Sequence, residues 1–126
     1  MNATAAADEV ADLRHQRRDL RRELARVRWW RRLIAARRDL TLASLTFPDG
    51  VGNDDSAWHA LATDAPTALE LSGAVWPDVH EVSMADLEVL DALDARLDRY
   101  EQRLSATLDS VTAHMVEAMG RVNGVR

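Results

Sequence analysis

Residues 6–42 read AADEVADLRHQRRDLRRELARVRWWRRLIAARRDLTL, and this stretch decides the fold. Ala6, Leu13, Leu20, Val27 and Ile34 recur at seven-residue intervals, and Val10 and Leu24 fall on the companion position of the same seam. That is the heptad signature of a helix packed against another helix. Arg17, Arg31 and Arg38 take the remaining companion positions, where a plain coiled coil carries apolar groups. Leu33, Leu40, Trp29 and Trp30 are expected to widen the apolar stripe toward the C-terminal end. No Gly or Pro occurs in residues 1–47, so nothing in the local chemistry breaks the helix.

Phe47-Pro-Asp-Gly50 supplies the stop, because Pro48 disfavours helix at the residue before it and Pro-Asp-Gly is turn chemistry. The connector, residues 43–82, holds all three prolines and three of the five glycines. A short capped helix is expected over residues 54–61, while residues 68–76 are ambiguous. Phe47, Trp58, Leu61, Leu69, Leu71 and Trp76 give the connector enough apolar weight to fold back rather than stay disordered. A second long helix is expected over 83–121. Ser83-Met-Ala-Asp86 resembles a capping box with Asp in place of Glu or Gln. Leu90, Leu97, Leu104 and Val111 then recur every seven residues, with Leu87, Leu108, Met115 and Val122 on the companion seam and Asp94 and Glu101 interrupting it. Leu93 and Tyr100 broaden this stripe. The expected architecture is all-α: one domain over 1–126, an antiparallel two-helix coiled-coil hairpin with a partly folded connector containing a short helix.

Composition agrees with helices and limits function. The apolar residues are mostly Leu, Ala and Val, with only four Trp, one Tyr and one Phe. There is no Cys, which removes disulfides, thiolate metal sites and Cys nucleophiles. His15, His59, His80 and His114 lie too far apart for a helical metal pair, Asp54 and Asp55 read as turn or cap residues, and no phosphate loop or nucleophile elbow is present. The expectation is a protein that is not an enzyme and carries no metal. The N-terminal residues have neither the basic nor the apolar segment of a secretion signal, and no apolar run is long enough to span a bilayer. A cytoplasmic location, away from membranes, is expected.

All sixteen basic side chains are Arg, and they are unevenly spread. Residues 1–40 carry eleven Arg against six acids, and residues 41–126 carry five against fifteen. Two readings of the first helix stay open: a solvated face balanced by the acidic second half, or a nucleic-acid surface pairing phosphates with Arg and stacking bases on Trp29 and Trp30. Arg31 and Glu101 on the seam are paired with each other, exposed at a hairpin end, or facing a ligand or partner. A two-helix hairpin buries little surface alone, so a homodimer or a bound partner is expected.

Arg17-Arg-Asp-Leu-Arg-Arg-Glu23, the run Val27-Arg-Trp-Trp-Arg31 through Asp39-Leu, and Arg96-Leu-Asp-Arg-Tyr100-Glu-Gln-Arg-Leu-Ser105 together resemble the two helices of the RsiG-type anti-sigma factors of actinobacteria. The resemblance covers both helices and not the connector. It implies a helical hairpin that binds a sigma factor of the flagellar and sporulation type and is armed by cyclic di-GMP. The nucleotide is held by a motif on each helix: Glu, Ser four residues on, Arg three further, Gln four further, Asp four further. The first-helix positions are Leu24, Arg28, Arg31, Ala35 and Asp39; the second-helix positions are Glu101, Ser105, Leu108, Thr112 and Val116. Arg31, Asp39, Glu101 and Ser105 carry the family's residue types. They imply either a residual nucleotide half-site or a hairpin that holds its partner with no nucleotide required, the reading preferred here. Arg28, Trp29, Trp30, Arg32 and Tyr100 are the candidate partner-binding residues. Outside the resemblance, a nucleic-acid-binding hairpin and a purely structural coiled-coil dimer are the alternatives.

Overall fold

A computed structural model of the chain describes residues 3–45, 50–51, 59–76 and 83–124. It is all-helical, with no strand among the described residues. In chain order there are α1, Ala3–Leu45; a 3₁₀ turn, His59–Asp64; α2, Ala68–Val75; and α3, Met84–Gly124. The long helices have 43 and 41 residues, or roughly 60–65 Å each at 1.5 Å per residue. α1 runs three residues past each expected end, where Ala3–Ala5 and Ala43–Leu45 offer no breaker, and α3 starts at Met84 and runs to Gly124, past the expected end at 121.

The chain divides into two compact units, residues 1–37 with 88–126, and residues 38–87. In the first, α1 and α3 run antiparallel, as the cross-helix bonds show: Arg121 Nη2 meets Glu9 Oε2 at 2.7 Å near one end, the Tyr100 hydroxyl donates to Glu23 Oε2 at 3.0 Å in the middle, and Arg31 meets Asp94 toward the other end. The heptad positions are the ones that face inward. Ala6, Val10, Leu24, Val27, Leu104, Val111 and Met115 are buried, while Leu13, Leu20, Leu97 and Leu108 are half-buried. Leu24, Val27 and Leu104 form the core cluster, with Leu20, Leu97, Tyr100 and Leu108 packed on it. Ala118, the next heptad step after Val111, is fully buried at 0% exposure.

Of the expected wide stripe, Leu40 and Tyr100 are half-buried and the rest is exposed. Trp29, Trp30, Leu33 and Leu93 remain 47%, 53%, 42% and 40% exposed. One facing helix covers only the two seam positions of each heptad, so residues on the flanks and the outer face stay in solvent.

The second unit contains the end of α1, the 3₁₀ turn, α2 and the first residues of α3. Among its described residues, Thr41 and Leu87 are buried. α2 occupies the segment left ambiguous by sequence. It is started by Thr67, whose Oγ1 accepts the Glu70 N–H at 3.1 Å while its hydroxyl donates to Glu70 Oε1 at 3.1 Å. The short helix expected over 54–61 begins outside the described residues, as do the Phe47-Pro48-Asp49 turn, Asp54, Asp55, Trp58 and His80; the 3₁₀ turn starts at His59. The connector's apolar groups do not all turn inward: Leu61 and Leu69 are 77% and 85% exposed. The expected start of the second long helix holds, with the Ser83 N–H donating to Asp86 Oδ2 at 2.9 Å.

Candidate functional site

Arg31, on the seam, reaches several carboxylates. Its Nε donates to Asp94 Oδ1 at 2.9 Å and its Nη2 to Asp94 Oδ2 at 3.2 Å, a two-pronged contact. Its Nη1 donates to Asp98 Oδ1 at 3.1 Å and lies 3.6 Å from Glu101 Oε1. Asp94, Asp98 and Glu101 stand one turn apart along α3, so one guanidinium faces all three. The expected Arg31–Glu101 pairing is thus corrected in its emphasis: Asp94 is the principal partner, and Glu101 sits between Arg31 and Arg28, whose Nε is 4.0 Å away. The hydrogen bond to Asp94 raises the affinity of Arg31 for its proton, and the same bond holds the Asp94 carboxyl below its ordinary range against the opposing effect of desolvation.

Arg17, the other seam Arg of this unit, has no such cluster. Its Nε is buried without a hydrogen-bond partner among the described residues, while the side chain as a whole is half-buried.

The two sides of the seam differ. On one, Tyr100 reaches across to Glu23, which also accepts from Arg26 Nε at 3.0 Å. The Arg26 bond, and then the Tyr100 bond, lower the Glu23 pKa, while the Glu23 carboxylate raises that of Tyr100. Leu20, Leu104 and Val111 floor an open groove of about 640 Å³ here, with Arg22 and Arg26 on its rim. A second hollow of about 440 Å³ shares Tyr100 and is lined by Leu93, Leu97, Arg96, Arg99 and Arg103. The Arg103 guanidinium lies 5.9 Å from the Tyr100 ring centroid. On the other side, Arg21, Arg28, Ser105 and Asp109 line a smaller hollow of about 430 Å³ over Leu24 and Leu108.

Of the residues expected to form a nucleotide half-site, Arg31, Glu101 and Ser105 lie in the first unit and are half-buried, with Arg31 and Glu101 3.6 Å apart. Asp39 lies in the second unit and is exposed. Of the expected partner contacts, Arg28, Trp29, Trp30 and Arg32 are exposed on α1 and Tyr100 is half-buried on α3. Trp29 and Trp30 pack edge to face, with centroids 4.9 Å apart and planes at 74°. Sequence reasoning did not single out Asp98, or Arg96, Arg99 and Arg103 as a row; the signals were the spacing of acids opposite a lone seam Arg, and three Arg at i, i+3 and i+7 in an otherwise acidic helix. Among the described residues no three His, Cys, Asp or Glu side chains are grouped to hold a metal ion, and no helix is long and apolar enough to cross a membrane. No family model, no curated protein and no solved structure matches this chain.

Proposed function

We propose that this hairpin is a transcription regulator of the anti-sigma type, one that binds and sequesters a sigma factor and needs no nucleotide to do so. The observation that carries a protein-binding role is the exposed edge-to-face pair Trp29–Trp30, with Leu33 and Leu93 also exposed and Arg28 and Arg32 beside it. Trp and Arg are the side chains that dominate protein–protein binding energy, and a hairpin that leaves them in water has anchors without a pocket. The sigma factor as partner rests on the resemblance of the two helices to RsiG-type proteins, and the antiparallel hairpin is the scaffold that resemblance implies.

The state of Arg31 supports independence from cyclic di-GMP. A guanidinium already opposed by Asp94, Asp98 and Glu101 has little free capacity for guanine or phosphate. A dianionic ligand placed there also meets three carboxylates against Arg31 and Arg28. Of the six remaining motif positions, only Arg28 is charged; Leu24, Ala35, Leu108, Thr112 and Val116 supply few polar groups.

The test is a tagged pull-down from an actinobacterial lysate, with and without cyclic di-GMP, read by mass spectrometry. A flagellar or sporulation-type sigma factor in both samples supports the proposal. Its capture only with nucleotide replaces this reading with a ligand-armed one. Its absence from both overturns the sigma-factor assignment. Calorimetric titration with cyclic di-GMP should give no heat at high micromolar ligand.

A further inference from the structure

α3 is acidic overall, yet its middle carries Arg96, Arg99 and Arg103 in one row. None of the three has a carboxylate three or four residues away on its own helix, and none makes an ion pair among the described residues. Arg96 and Arg99 instead stand three residues apart, and Arg99 and Arg103 four, spacings at which like charges weaken a helix. The other Arg described on α3, Arg121, is fully engaged by Glu9 and Glu117. The uncompensated row lines the hollow that continues the Tyr100 groove.

The two hollows share Tyr100 and have apolar side chains at their base. Their lining runs from Leu93 to Val111 on α3, which is about 27 Å, or five helical turns, at 1.5 Å per residue. Leu20, Leu97 and Tyr100, half-buried against the core, form their floor. The register set by the Tyr100–Glu23 bond brings Trp30 and Leu93 to the equivalent flanking positions one heptad along, so the apolar floor continues into the exposed Trp patch.

We propose that the Tyr100 side of the hairpin is a slot for one acidic amphipathic helix of a protein partner, which completes a three-helix bundle. The occupant's apolar face covers Leu20, Leu97, Tyr100 and Trp30, and its carboxylates pair with Arg96, Arg99 and Arg103. A nucleic-acid strand matches this surface less well, because Asp19 and Glu23 line the same groove and no phosphate chain covers an aliphatic floor. The opposite side has Arg21 and Arg28 beside Asp109 and Glu101, with neither an exposed aromatic anchor nor a row of cations. The inference rests on the protein-binding reading and not on the partner being a sigma factor.

The experiment uses the full chain and three fluorescent probes: an 18-residue amphipathic helix with Leu on one face and Glu beside it, the same peptide with Lys for Glu, and a 20-nucleotide single-stranded DNA. The Glu peptide should bind about tenfold or more tighter than the Lys peptide, and R96E/R99E/R103E should reverse that order. The neutral variant R96Q/R99Q/R103Q should abolish the preference while leaving far-ultraviolet dichroism unchanged and raising the melting temperature slightly, because the like-charge row is gone. R21E, on the other side, should leave the preference intact. Equal binding of both peptides, equal loss in both Glu variants, or DNA bound more tightly than the Glu peptide each overturns the proposal. The probes contain no sigma-factor sequence, so their binding stands or falls separately from the pull-down.

Discussion

The two ends of the α1–α3 seam are built from different chemistry. Toward the chain termini, Ala6, Val10, Met115 and Ala118 are buried with no charged group among them, and the ion pair there, Arg121 with Glu9, lies outside the seam with both side chains 42% exposed. Toward the connector, the seam itself becomes ionic, with Arg31 facing Asp94, Asp98 and Glu101. The apolar end is held by the removal of surface from water, which is non-directional and tolerant. The ionic end is held by directional bonds whose worth depends on every partner being present. The difference teaches where to expect robustness and where conditional stability.

The largest expected effect is at the apolar end. Met115→Ala should cost about 2–3 kcal/mol, near the low end of large-to-small core changes because the site lies at a hairpin surface. A urea titration followed by dichroism measures it. Next, Arg31→Ala should cost about 1–2 kcal/mol, because three carboxylates are left facing one another without their cation, in a site that solvent partly screens. The paired change Arg31→Leu with Asp94→Leu, which extends the apolar seam toward the connector, should recover most of that loss. If the double variant is no more stable than Arg31→Ala, the ionic end is not interchangeable with the apolar one.

A pH titration sharpens the same contrast. The Asp94 carboxyl is held below its ordinary value of 3.8 by Arg31. A depressed folded pKa means that the stabilisation is fully present above the unfolded value and is lost as pH falls through the folded one. The urea midpoint should therefore fall between about pH 7 and about pH 2.5, and Asp94→Asn should show a smaller fall. An unchanged pH dependence in Asp94→Asn would place the acid-sensitive groups elsewhere. The smallest effect belongs to Arg121→Ala, where an exposed pair contributes roughly 0.5 kcal/mol or less and should shift the urea midpoint within error.

The seam was legible in the sequence because burial between two helices follows one period. Each expected heptad position from Ala6 to Ile34, and from Leu87 to Val122, is buried or half-buried. Ser83 and Asp86 announced the start of α3 through local hydrogen bonding alone. Three things were less legible. The partner of Arg31 was one, since an Arg side chain spans more than a helical turn and periodicity does not choose among Asp94, Asp98 and Glu101. The width of the stripe was another: Trp29, Trp30 and Leu33 look like core until α3 is seen to cover only the seam positions beside them. The third was α2, whose eight residues are too few for a helical period to stand out, although the Thr67–Glu70 box that starts it is local.

The charge split also has a temporal side. Arg28 and Arg31 have no carboxylate three or four residues away on α1, and the acids that face them, Glu101, Asp94 and Asp98, all arrive with α3. Arg31 and Asp94 are 63 residues apart in the chain. At ~5–20 residues per second of synthesis, that separation corresponds to a wait of roughly 3–13 s. During it the nascent first helix is a polycation emerging beside ribosomal RNA, and the arrival of α3 both closes the hairpin and cancels that charge.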